Sequence, residues 1–133
     1  PAGNRNFNLF KLLFLHCMKF FISILTTALI ACICGAYFPW WTIAVAGFVI
    51  ALLLPQSPFS AFFSGFIAIF LLWTIIAALI NTANGGILAG RIGLLLGIGK
   101  SPVLLVIITG LVGGIVAGFA ALSASLLRRP VKR

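Results

Sequence analysis

Apolar residues along this chain do not alternate with polar ones; they gather into four uncharged runs. Phe20–Tyr37 is the first, flanked by Lys19. Phe38–Leu54 is the second, parted from the first by little more than Gly35 and Pro39. Pro55-Gln56-Ser57-Pro58 is a turn signal, and Phe59–Ile80 forms the third run. Asn81-Thr82-Ala83-Asn84-Gly85-Gly86 breaks it. A glycine-rich stretch from Gly86 to Lys100 follows, with Arg91 in its middle, and Pro102–Leu127 is the fourth run. In hydrocarbon every backbone N–H and C=O must be satisfied internally, so such runs are helices; the period-two pattern of a barrel strand is absent. A span needs about 20 apolar residues. The second run is the weakest, since as a helix it rises about 25 Å, short but adequate. The expectation is an all-α integral membrane protein. Residues 18–127 form a compact four-transmembrane-helix bundle, with spans at 20–37, 38–54, 59–80 and 102–127.

Composition narrows the class further. Of 133 residues, 63% are hydrophobic, none is Asp or Glu, and the net charge is +9. A soluble domain is about one quarter charged, and disorder needs low hydrophobicity; neither fits a mean hydropathy of +1.31. Four spans use nearly the whole length and leave no soluble catalytic domain. A strongly basic chain can signal nucleic acid, but here the apolar content overrides that reading and the charges sit mostly at segment ends. The partner they imply is the lipid bilayer.

Those charges also set an orientation. Arg5, Lys11 and Lys19 precede the first run, and Arg128, Arg129, Lys132 and Arg133 follow the last. An even number of spans puts both groups on one side and leaves only Arg91 and Lys100 on the other. The positive-inside bias then gives N-in and C-in, in what reads as a bacterial inner membrane. Residues 128–133 form a basic cytoplasmic tail, a topology anchor that also holds anionic lipid at about 1 kcal/mol per basic residue near the surface.

Residues 1–17 are read in two ways. Met18-Lys19-Phe20-Phe21 looks like a bacterial start, which makes 1–17 an upstream extension; alternatively Phe7–Cys17 is an amphipathic anchor lying in the interface. Counted from Met18, Leu29-Ile30-Ala31-Cys32 resembles a lipoprotein cleavage box with Cys32 lipidated. Another apolar run follows almost at once, where a polar tether is expected, so a Cys in a spanning helix is favoured.

Membrane helices pack where small residues let backbones approach. In the fourth run Gly110, Gly114, Gly118, Ala121 and Ser125 recur at helical spacing, opposite Leu104, Ile108, Leu111, Ile115, Phe119, Leu122 and Leu126. Ser23, Thr27, Ala31 and Gly35 make a small stripe on the first run; Ala44, Gly47 and Ala51 do so on the second. The third offers Ala61, Gly65 and Ala68, opposed by Phe59, Phe63, Phe66, Phe70 and Trp73. Intramolecular packing of these stripes is expected; a homo-oligomer interface or pore lining through Gly110, Gly114 and Gly118 is the rival. Tyr37, Trp40 and Trp41 read as an interfacial aromatic belt. The glycine-rich 86–100 segment is interfacial or re-entrant, with Asn84 a candidate cap.

Chemistry is thin. His16 is the only histidine and has no carboxylate to orient it. Cys32 and Cys34 point to nearly opposite sides of a helix, so with Cys17 they offer no zinc pattern. Gly97-Ile98-Gly99-Lys100-Ser101 ends in Gly-Lys-Ser, but the required upstream glycine position holds Leu94, so it is not a phosphate-binding loop. No ionisable residue lies mid-span, where ion pathways place one. Small multidrug exporters depend on a membrane carboxylate that this chain lacks. The glycine/arginine and threonine/phenylalanine signatures of fluoride channels are not evident. No catalytic residue, metal ligand or cofactor is expected.

Met18–Leu25, Phe38–Trp41, Phe66–Trp73 and Leu111–Ser123 together resemble small, uncharacterised four-span proteins of the bacterial inner membrane. The likeness is one of pattern and implies a fold without implying an activity. The expected function is a non-enzymatic structural or accessory membrane protein, partnered by lipid and by other membrane proteins. The alternative is an oligomeric pore or passive transporter, holin-like or channel-like.

Overall fold

The computed structural model describes residues 2–128, and among them it holds five helices and no strand. They are α1 (Ala2–Tyr37), α2 (Thr42–Leu53), α3 (Pro58–Ala83), α4 (Ile87–Leu95) and α5 (Pro102–Leu127). Proline writes most of the boundaries. The residue before a proline is pushed out of the helical region, and Leu54, Ser57 and Ser101, each followed by proline, are all extended. α1 likewise stops one residue short of Phe38-Pro39. Pro58 and Pro102 then occupy the first helical turn, where the missing N–H is harmless. Ser57 adds a cap, its Oγ accepting from Ser60 N–H at 3.3 Å. At the far end of α3, Gly85 takes φ +59°. Gly86 N–H then donates to the Asn81 carbonyl at 2.9 Å and Gly85 N–H to Thr82 at 3.2 Å, the paired bonds that close a helix on a left-handed glycine.

Three helical stretches are long and apolar enough to cross a membrane: Phe7–Tyr37, Pro58–Ala83 and Pro102–Leu127. The second run departs from expectation. Only 12 of its residues are helical, a rise of about 18 Å, because Pro39 starts a turn that Thr42 completes. Both the N–H and the Oγ1 of Thr42 donate to the Pro39 carbonyl, at 3.1 and 2.8 Å. Residues 2–17 continue the same unbroken 36-residue helix as the first apolar run. No proline or glycine separates Cys17 from Lys19, and Leu, Lys and Met are good helix formers.

The interior is made of small side chains. One buried cluster joins Ala31, Ile43, Ala46, Ile69 and Ala117; another joins Ala51, Ala61, Ala121 and Ala124. Leu, Ile, Val and Phe instead line the outside over most of the chain. An exterior more apolar than the core is costly in water and natural in lipid, where helices associate through close backbone approach. The chain is therefore a membrane protein in contact with the bilayer. α5 is the hub: it packs most extensively on α3 and next on α2, while α1 rests on α3 and α2 without reaching α5.

Candidate functional site

Three places gather the residues singled out from sequence: the α3–α5 seam and the two ends of the bundle. In the seam, Gly110, Gly114 and Gly118 face α3, all buried. A Cβ at Gly110 would sit 2.9 Å from the Phe70 carbonyl oxygen; at Gly114, 3.0 Å from that of Phe66; at Gly118, 3.2 Å from that of Phe62. Three successive turns of α5 thus meet three successive turns of α3, with room for hydrogen alone. Such approach permits Cα–H···O contacts. The Phe rings close over the same glycines. Phe62 stacks on Phe66 and Phe66 on Phe70, with centroids 6.2 and 5.7 Å apart, and Phe119 meets Phe62 edge-on at 5.4 Å.

This differs from a simple pairing of small stripes. Phe66, Phe70 and Trp73 belong to the bulky side of α3 read from sequence, yet they pack on α5. Bulk on one helix fills the hollow left by glycine on the other. The small stripe of α3 also takes part. A Cβ at Gly65 would lie 2.9 Å from the Ala117 carbonyl oxygen and 3.0 Å from the Ala121 Cβ, and one at Gly47 would lie 3.1 Å from the same carbonyl. Ala121 is buried in that contact. Ser125 is buried as well, and its Oγ donates to the Gln56 carbonyl at 3.3 Å. Toward α1, the Ser23 hydroxyl donates to Ser64 at 3.3 Å, and Ser64 donates back to the Ala61 carbonyl at 3.1 Å.

Gln56 also identifies one end of the bundle. Its Nε2 donates to the Lys19 carbonyl at 3.3 Å, and Arg128 Nη1 donates to the Leu52 carbonyl at 2.9 Å. An arginine there satisfies an orphan carbonyl and complements the negative end of α2. Lys19 and Arg128 are therefore neighbours at one end. Arg129, Lys132 and Arg133 lie outside the described residues. The sequence marked Gln56 only as part of a turn; a polar side chain framed by two prolines between apolar runs was the available signal.

The opposite end carries Tyr37, Trp40 and Trp41, all exposed. It also carries α4, whose N-cap is Gly86, with no side-chain cap bond. The expected cap, Asn84, instead terminates α3, its N–H bonded to the Ile80 carbonyl at 3.0 Å. In this glycine-rich segment Gly93 is packed tightly, against the Gly99 carbonyl, whereas Gly90 and Gly97 face open space. Arg91 and Lys100 are exposed here.

Reactive groups are dispersed. Cys17 and Cys32 are exposed, Cys34 is half-buried, and all three are free. Among the described residues no three metal-binding side chains gather. Thr26, Thr82, Thr109 and Ser123 donate to carbonyls three or four residues back, as hydroxyls in apolar helices do. No protein family, curated protein or solved structure matches the chain.

Proposed function

We propose that this is a non-enzymatic, structural or accessory membrane protein, related in kind to the small four-span proteins of the bacterial inner membrane that its pattern resembles. One observation carries the reading: α5, the helix best suited to associate with another copy, spends Gly110, Gly114 and Gly118 on α3 of the same chain. That supports a self-contained bundle over the rival pore, which would use this face between copies. A chain with no carboxylate also has none of the usual acid–base pairs or proton carriers.

The fourth span is α2 with its flanking turns. From Lys19 to Tyr37, α1 rises about 27 Å. Phe38 to Gln56 returns to the Lys19 level, as the Gln56 contact requires, so this segment retraces most of the roughly 30 Å hydrocarbon core. Lys19 and Arg128 then share a cytoplasmic face, N-in and C-in by the positive-inside bias, and residues 128–133 hold anionic headgroups there. Tyr37, Trp40 and Trp41 sit at the outer interface.

Two measurements test this. A reporter fused after Arg133 should read cytoplasmic, and one inserted at Gly97 should read outside; the reverse pair, or the same side for both, overturns the topology. Native mass in mild detergent should give a monomer with no solute flux in liposomes. A defined oligomer that conducts overturns the accessory reading in favour of the pore.

A further inference from the structure

α1 leaves one long stripe uncovered. Phe7, Phe10, Phe14, Cys17 and Phe21 follow one another at alternating steps of three and four residues, and all are exposed. The same steps lead on to Ile24 and Ala28, which open on a hollow of about 430 Å³ between α1 and α3. Ala68, Leu71 and Ile75 wall it on α3, and no polar side chain lines it. A three–four repeat is the seam by which one helix packs along another, kept in line by a gentle supercoil. From Phe7 to Ala28 it runs about 32 Å.

Lipid covers only half of this stripe. An acyl chain fills the hollow but ends at the membrane surface. A headgroup layer takes the other half only if the helix turns to lie flat, and sharp turns need a proline, a Gly/Ser pair or a π-bulge. α1 is α-helical without a break from Ala2 to Tyr37, with no proline or glycine between Phe7 and Cys34. The segment before Lys19 therefore projects about 18 Å past the end of the bundle at which Lys19 and Arg128 sit. A second helix is the occupant that follows both halves. Charge selects its chemistry. Exposed Lys11 flanks the stripe beside Phe10, where paired helices match charges, and the chain holds no Asp or Glu to meet it. We propose that α1 docks a long transmembrane helix of a partner membrane protein. That helix crosses the bilayer in the α1–α3 hollow and continues past Lys19, with an apolar stripe on Phe7, Phe10 and Phe14 and a carboxylate opposite Lys11. This names the kind of protein that the accessory reading serves, and it rests on that reading's placing of the residues before Lys19 outside the membrane.

The probe is a synthetic peptide, a Leu/Ala span of about 20 residues continued by two heptads with Leu along the seam and Glu at its flanks. It carries a fluorescent donor. The full chain carries an acceptor on a cysteine added after Arg133, with Cys17, Cys32 and Cys34 replaced by alanine. In phosphatidylcholine liposomes energy transfer should saturate at one peptide per chain. A peptide with Lys in place of Glu should bind about threefold more weakly, the worth of one exposed charge pair, and Lys11→Glu should reverse that preference. Phe10→Ser with Phe14→Ser should weaken binding at least about tenfold; both side chains are exposed, so the bundle should stay folded. Ala28→Phe, at the hollow, should cost at least about fivefold. A spin label on Phe14→Cys separates the inference from the topology beneath it. A water-soluble relaxant should reach it in phosphatidylcholine and in phosphatidylglycerol liposomes alike. A label reached only by oxygen puts residue 14 in lipid and overturns both. With the label in water, transfer no greater than for the Leu/Ala span alone, or binding indifferent to Lys11→Glu and to the paired Phe→Ser changes, overturns the inference and leaves the topology standing.

Discussion

α5 and the Phe20–Tyr37 stretch of α1 are both apolar and uncharged, yet they are attached very differently. α5 buries eight residues along its length, from Gly110 to Ser125, and meets two helices at backbone contact distance. Among the residues of α1 whose burial is described, only Ser23, Thr27 and Ala31 are buried, a single stripe at four-residue spacing. Between Phe7 and Lys19 its Phe and Leu side chains are all exposed, Phe10 at 71% and Leu13 at 70%. The difference follows from side-chain size rather than hydrophobicity. In lipid, apolar surface gains little by leaving its solvent, so the helix that fits closest is held hardest. Glycine on α5 allows close fit; the leucines and phenylalanines of α1 do not.

The sharpest way to break this contrast is at Gly114. Gly114→Leu forces a branched side chain against the Phe66 backbone and should destabilise the bundle by about 3 kcal/mol or more, read by reversible unfolding in mixed micelles. Gly65→Ala is milder. Its new Cβ meets the Ala117 carbonyl, part of the rigid backbone, and a loss of about 1–2 kcal/mol is expected by the same assay. At the α1 contact, Ser23→Ala removes the hydroxyl pair with Ser64 and should cost about 0.6 kcal/mol, the usual worth of such a bond within a membrane. Smallest is Gly35→Ala on α1. Nothing lies within 4 Å of the added Cβ, so the change should be neutral or stabilise by a few tenths of a kcal/mol through helix propensity. A destabilising Gly35→Ala as large as Gly65→Ala would erase the distinction between the two helices.

Much of this was legible from sequence, because prolines and small-residue stripes act locally. Helix ends at Ser57 and Ser101 follow from the proline after each, and the buried side of α5 is its glycine side. What was not legible depends on partners. Periodicity shows that Phe66 and Phe70 oppose Gly65 on α3, but a neighbour thin enough to accept both sides at once is a property of α5. The shortening of α2 likewise depends on the Thr42 hydroxyl choosing the Pro39 carbonyl. Gln56 ties together Lys19 and Ser125, segments 37 and 69 residues from it, and no local pattern announces a contact at that separation. At Met18-Lys19 the helix runs on through the charge, because a lysine beside an apolar run does not end a helix.

The central claim is that the glycine face of α5 is filled by phenylalanines of the same chain. Phe62 and Phe119 lie on the two sides of that seam, ring centroids 5.4 Å apart. With Cys17, Cys32 and Cys34 replaced by alanine, Phe62→Cys and Phe119→Cys should be bridged within one chain by a short bis-maleimide cross-linker, running as a monomer on a denaturing gel. A covalent dimer as the main product would place the seam between copies and contradict the account.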